Sequence, residues 1–130
     1  MATDQAAKCL EETLKALAVP LRLRILALVA RHEICVRDLV EVLHTVQPVV
    51  SRQLAYLRRA SLVESRRDGK WIFYRLHEPQ NEPAAALLSE ALRHLKRARQ
   101  TQADLARLAG CSQRGTGNLK AAPPPQRIKR

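Results

Sequence analysis

A chain of 130 residues has room for one ordinary domain with tails, and 23 Lys and Arg against 12 Asp and Glu leave a formal charge of +11. That balance suits a polyanion, with nucleic acid ahead of a membrane surface: no stretch approaches the roughly 18 uninterrupted apolar residues of a spanning helix, and the N-terminus shows no signal-peptide pattern. The expectation is a cytoplasmic protein with no membrane partner, its core built from Leu, Val, Ile and Ala because aromatic residues are only 3% of the chain, which favours helices packed on helices.

Residues 1–7 read as an N-terminal tail. Leu10, Leu14 and Leu17 then recur at helical spacing, giving a short amphipathic helix that ends near Val19 and Pro20. Pro20 suits the first turn of a second helix that buries Leu21, Ile25, Leu28 and Val29 and runs to about Arg31. After a break at His32 and Glu33, a third helix carries Val36, Leu39, Val40 and Leu43 on one face. The short connection 44–46 leads to a fourth helix opened by Pro48, with Val50, Leu54 and Leu57 inward and Ser51, Arg52, Tyr56 and Arg59 outward. Two short helices on a tight connection make a helix-turn-helix.

From Leu62 to Leu76 the period changes. Asp68-Gly69 between β-formers predicts a hairpin, with Trp71, Phe73 and Tyr74 as packing residues and Arg66, Arg67 and Lys70 crowding the tip. Residues 83–109 read as one long helix, with Leu88, Ala91, Leu95, Ala98, Gln102 and Leu105 forming a stripe that seeks a partner helix, and Gly110 as its stop. Residues 110–130 form a basic, Pro-rich tail, expected to be disordered.

The order predicts a mainly α domain at residues 8–109, a winged helix-turn-helix whose last helix pairs with a second copy. A helix such as Gln47 to Ala60 fits the major groove, where Gln47, Ser51, Arg52, Gln53 and Tyr56 would face DNA. Arg66, Arg67 and Lys70 on the hairpin would reach flanking phosphates or the minor groove. Two such reading heads about 34 Å apart would read an inverted repeat.

Four ordered runs carry a resemblance: residues 17–26 (Leu17-Ala18-Val19-Pro20 onward), Glu33-Ile34-Cys35-Val36-Arg37-Asp38-Leu39, residues 47–54 (Gln47-Pro48-Val49-Val50 onward), and residues 69–76 from Gly69 to Leu76. Together they resemble the ArsR/SmtB repressors over roughly residues 10–100. The resemblance implies a homodimer paired through its first and last helices, which silences genes at a double-stranded DNA operator until an inducer binds.

Cys9, Cys35 and Cys111 are too few and too scattered for a disulfide framework and are expected to be free thiols. Arsenite-responsive relatives usually carry Cys-Val-Cys at the start of the third helix. Here Cys35 matches the first ligand, Arg37 replaces the second, and Val40 stands where a third often lies. One thiolate is insufficient for tight capture of trivalent arsenic or antimony. Cys9 and Cys111 are therefore the candidate partners of Cys35, from the same or the other subunit, and no resident cofactor is required. Cadmium, lead and zinc are alternative inducers, as is a redox disulfide of Cys35 or Cys9 with Cys111. Glu90, His94 and Asp104 could hold zinc on the last helix, but the family's Asp-x-His spacing is absent. A non-regulatory DNA-binding module is the rival class. An enzyme has little support, there being no Gly-rich phosphate loop and no paired carboxylates on facing elements.

Overall fold

The computed structural model describes residues 2–113 and 120–121. In chain order the elements are α1 (Ala2–Leu17), α2 (Pro20–Val29), β1 (His32–Cys35), α3 (Val36–Leu43), α4 (Gln47–Arg59), β2 (Val63–Asp68), β3 (Trp71–Leu76), α5 (Glu82–Leu95), α6 (Arg99–Gln113) and β4 (Lys120–Ala121). The architecture is a winged helix-turn-helix: helices around one core, with an antiparallel sheet in the order β2-β3-β1-β4 along one side.

At the centre lies α2. Ile25, Leu26, Leu28 and Val29 are all fully buried, because α1, α4, α5 and α6 each pack against this helix. Side chains of this size contribute about 1.5–3 kcal/mol each on burial, so α2 carries a large share of the core's stabilisation. Leu39, Val42 and Leu43 of α3 and Val50, Leu54 and Leu57 of α4 close the core from the helix-turn-helix side. The turn between α3 and α4 is built by His44, which caps α3 in the left-handed conformation at φ 52°, and by the Thr45 hydroxyl, which donates to the Leu43 carbonyl at 3.0 Å. Pro48 sits in the first turn of α4, where its missing N–H costs nothing.

The hairpin forms as expected, with Asp68 opposite Trp71 and the two-residue loop Gly69-Lys70 between them. Gly69 has φ +62°, the pattern of a type II′ turn, in which only glycine is comfortable at the first loop position.

Four features differ from the sequence reading. The first helix starts at Ala2, so the expected tail 1–7 is largely helical. The break at His32 and Glu33 is a strand, whose Ile34 and Cys35 pair with Tyr74 and Phe73 of β3. Four residues between two helices are too few to show an alternating pattern, and only the partner strand defines them.

The long helix 83–109 is two helices. Lys96 and Arg97 form a turn in which Arg97 and Ala98 bond back three residues, to His94 and Leu95, and the Gln102 side chain donates to the Lys96 carbonyl at 2.8 Å. No Gly or Pro causes this break. It arises because α5 packs on α1 and α2, whereas α6 turns to pack on α2 and α3, burying Thr101, Asp104, Leu108 and Cys111 rather than continuing the stripe of Leu88, Leu95 and Gln102. Finally, α6 continues through Gly110 to Gln113, and Lys120–Ala121 pairs with Glu33 and His32, so residues 110–113 and 120–121 belong to ordered elements. The remainder of the expected disordered tail lies outside the described residues.

Candidate functional site

The exposed side of α4 and the hairpin tip share one property: side chains that no core contact claims. On α4, Gln47, Ser51 and Arg52 are exposed, as are Arg58 and Arg59 further along. Val50, Leu54 and Leu57, at spacings of four and three, bury the opposite stripe and fix this orientation. Gln53 and Tyr56 stand apart from the other α4 candidates, since both are half-buried and engaged by Arg22 of α2.

Arg22 is 9% exposed. Its Nε donates to the Ala16 carbonyl at 2.8 Å, one terminal nitrogen donates to the Lys15 carbonyl at 2.8 Å, and the other donates to Gln53 Oε1 at 3.0 Å. The guanidinium also stacks 4.0 Å from the centroid of the Tyr56 ring. One cation thus satisfies the carbonyls at the C-terminus of α1, favourable for the helix dipole, and holds α4 in place. Spacing alone gave no hint of this use of Gln53 and Tyr56, because their partner lies 31 and 34 residues earlier.

The three hairpin cations divide likewise. Arg66 is tied down: it forms an ion pair with Glu33 of β1, which is 5% exposed, stands 3.6 Å from Asp68, and lies over the Phe73 ring. Hydrogen bonding to Glu33 raises its pKa further. Arg67 is exposed with no ion-pair partner among the described residues. Lys70 is exposed at the turn, 5.3 Å from the centroid of Trp71. Arg37, at the start of α3, lies over the same indole at 5.5 Å, an addition that the sequence reading lacked.

None of the three thiols is in a disulfide, and they occupy different places. Cys35 is 2% exposed at the N-cap of α3, and burial pushes its thiol pKa up, with the Asp38 carboxylate close enough to accept its hydrogen bond. Cys111, 1% exposed in the last turns of α6, comes together with Asp38 and Glu41 of α3, all three donor atoms lying within 4.8 Å of one another. Asp38 therefore stands between Cys35 and Cys111. Its burial was legible in principle, since it lies one turn before the core residue Val42 on the inward face of α3. Cys9 is half-buried on α1, which packs on α5 and α2. Among the described residues, no metal-holding group of three includes Cys9 or Cys35.

The zinc candidates on the last helices separate as well. Glu90 and His94 meet at 3.1 Å on the exposed face of α5, where Arg93 first and His94 second hold the Glu90 carboxyl down at about 2. Asp104 is fully buried on α6 and accepts from Nε and one terminal nitrogen of Arg24, each at 3.0 Å, with Gln100 as a further donor. It is committed to a structural ion pair far along the chain from Glu90.

Comparison with known proteins agrees with this architecture. Residues 19–65 match the family model described as "Bacterial regulatory protein, arsR family". The chain is similar to the arsenic resistance transcriptional regulator ArsR1 of Pseudomonas putida KT2440, 47% identical over 48% of this chain and 50% of that protein. It is also similar to the arsenical resistance operon repressor of Escherichia coli K12, 42% identical over 61% of this chain and 68% of that one. The transcriptional repressor BigR from Xylella fastidiosa superposes with a TM-score of 0.60 at 33% identity, covering 72% of this chain and 89% of that one. The chain spans about half the length of several of the curated relatives it matches. Among the described residues, no helix is long and apolar enough to cross a membrane.

Proposed function

We propose, from the premise that this chain belongs to the ArsR family of bacterial regulatory proteins, that it is a homodimeric transcriptional repressor released from its operator by a thiophilic inducer. The observation that carries the reading is the exposed polar edge of α4, Gln47, Ser51 and Arg52, beside the cations Arg67 and Lys70 of the hairpin, in a chain of charge +11. A helix of that width enters the major groove, where Arg and Gln make bidentate contacts to base edges and the hairpin follows the phosphates. Gln53, Tyr56 and Arg66 take the supporting role of holding α4 and the hairpin at the angle DNA requires.

The proposed inducer is trivalent arsenic or antimony held by Cys35 with thiolates from Cys111 and Cys9. Relatives whose names refer to arsenic support the class. The position of Cys35 supports the coupling: it is the N-cap of the first helix of the helix-turn-helix, so a ligand that pulls on it moves α3 and with it α4. Cys9 lies on α1, the helix proposed to face the second copy, and would arrive from there. A coupling of about 1–3 kcal/mol between inducer and operator would lower DNA affinity several-fold to about a hundredfold.

Operator binding of the wild-type chain and two variants tests this. Arg52→Ala should relax sequence discrimination by about 1–3 kcal/mol at the contacted base. Cys35→Ser should leave operator affinity intact and abolish release by arsenite. Unchanged operator preference in the first variant would remove α4 as the reading helix, and surviving arsenite release in the second would remove the thiol inducer.

A further inference from the structure

The junction of α3 and α6 holds a donor set of which the arsenic reading uses only Cys111. Asp38 and Glu41 are three residues apart on α3 and share a face of that helix, and Cys111 meets them from α6, the three donor atoms lying within 4.8 Å of one another. Asp38 is 2% exposed, and its Oδ1 atom has no hydrogen-bond partner. A buried carboxylate oxygen left unpaired costs free energy that a bound ion, a proton or an ordered water recovers, so an orphan of this kind calls for an explanation.

We infer that Asp38, Glu41 and Cys111 form a site for a borderline divalent cation of the zinc and cadmium class, lodged between α3 and α6 of a single chain. One thiolate with two carboxylates is a mixed soft and hard donor set. Trivalent arsenic prefers thiolates alone, and magnesium or calcium prefers oxygen alone, which leaves zinc, cadmium and cobalt as the best match. The two carboxylates and the thiolate together carry the negative charge that offsets a divalent ion.

Around a tetrahedral ion with bonds of roughly 2.0–2.3 Å, donor atoms lie roughly 3.3–3.8 Å apart, so the three must close by about 1 Å, within reach of side-chain rotation. Glu41 is exposed and gives the ion its way in, while Asp38 and Cys111 are buried and form the floor. The fourth position is left for water.

The consequence is mechanical. The ion would tie the end of the chain to the first helix of the helix-turn-helix and rigidify the junction from which α4 projects. The inference does not rest on the nature of the inducer, and it is tested on the free protein without DNA.

Cobalt(II) titration of the full-length reduced chain should give one ion bound per chain, with a thiolate-to-cobalt charge-transfer band in the near ultraviolet and the intense visible bands of a four-coordinate ion. Zinc should displace the cobalt and raise the Tm by roughly 5 °C at saturation, as expected for a ligand that binds only the folded state. Cys111→Ser should lose the charge-transfer band, whereas Cys35→Ser and Cys9→Ser should keep it. Glu41→Gln, an isosteric change on an exposed side chain, should weaken cobalt binding tenfold or more while far-ultraviolet circular dichroism stays that of the wild type. Absence of the band in the wild-type chain at saturating cobalt, its loss in Cys35→Ser but not in Cys111→Ser, or unchanged affinity in Glu41→Gln would each overturn the site. Operator release by arsenite is measured separately on metal-free protein, so failure of this site and failure of the thiol inducer stay distinguishable although both use Cys111.

Discussion

Arg66 and Arg67 are adjacent, identical in type and opposite in use. Arg66 points along the sheet to Glu33, a carboxylate that is 5% exposed and whose charge needs a partner. Replacing Arg66 by Ala leaves that buried acceptor unpaired and should lower unfolding stability by about 1–3 kcal/mol, measured by chemical denaturation. Arg67→Ala should stay within about 0.5 kcal/mol of wild type and should instead weaken binding to any DNA duplex. Equal stabilities for the two variants would show that the Glu33 pair contributes nothing to the fold. The same division separates Gln53 from Arg52 on α4, where Arg22 claims the first and leaves the second exposed. A side chain's type announces what it can do, and its neighbours decide whether it is available to do it.

Among the elements, α6 departs furthest from what local signals announce. Gly110 reads in the sequence as a helix stop, yet α6 passes through it to Gln113, and a Cβ built on Gly110 meets nothing within 4 Å. Gly110→Ala should therefore raise stability by about 0.5–1 kcal/mol, the usual difference in a helix interior. Had Gly110 been a left-handed cap, the same change would destabilise, so the sign of the shift in midpoint denaturant concentration distinguishes the two structures. The rest of α6 is held from outside. Arg24 grips the fully buried Asp104, the Arg107 guanidinium donates to the Val42 carbonyl at 2.9 Å, and Leu108 enters the core. None of these partners lies within a turn of α6 in the sequence.

For the molecule as a whole, the proposed dimer sets the spacing of the two reading heads, and a two-fold axis is what converts one exposed helix into a reader of inverted repeats. Leu14 of α1 is 50% exposed, an apolar side chain that a second copy would cover. Sedimentation equilibrium should give twice the chain mass for the wild type, and Leu14→Glu should shift the population toward single chains and weaken operator binding. A monomeric wild type at micromolar concentration would remove the two-fold reading head.

The helix-turn-helix, the hairpin and the inward stripes of α2, α3 and α4 were legible without coordinates, because each rests on relations within a few residues. Val50, Leu54 and Leu57 follow the helical period, and Gly69 supplies the positive φ its turn demands. The exposure of Gln47, Ser51 and Arg52 follows from the same period. The strand β1, the break between α5 and α6, the capture of Gln53 and Tyr56 by Arg22, and the meeting of Asp38 with Cys111 were not legible. Each depends on a partner 31 to 80 residues away in the sequence or on a strand too short to show its own pattern. Periodicity reports which face of an element is apolar. Which buried polar group meets which partner is decided only when the elements pack, because the cost of desolvating a charge is imposed by the assembled core and not by the local chain.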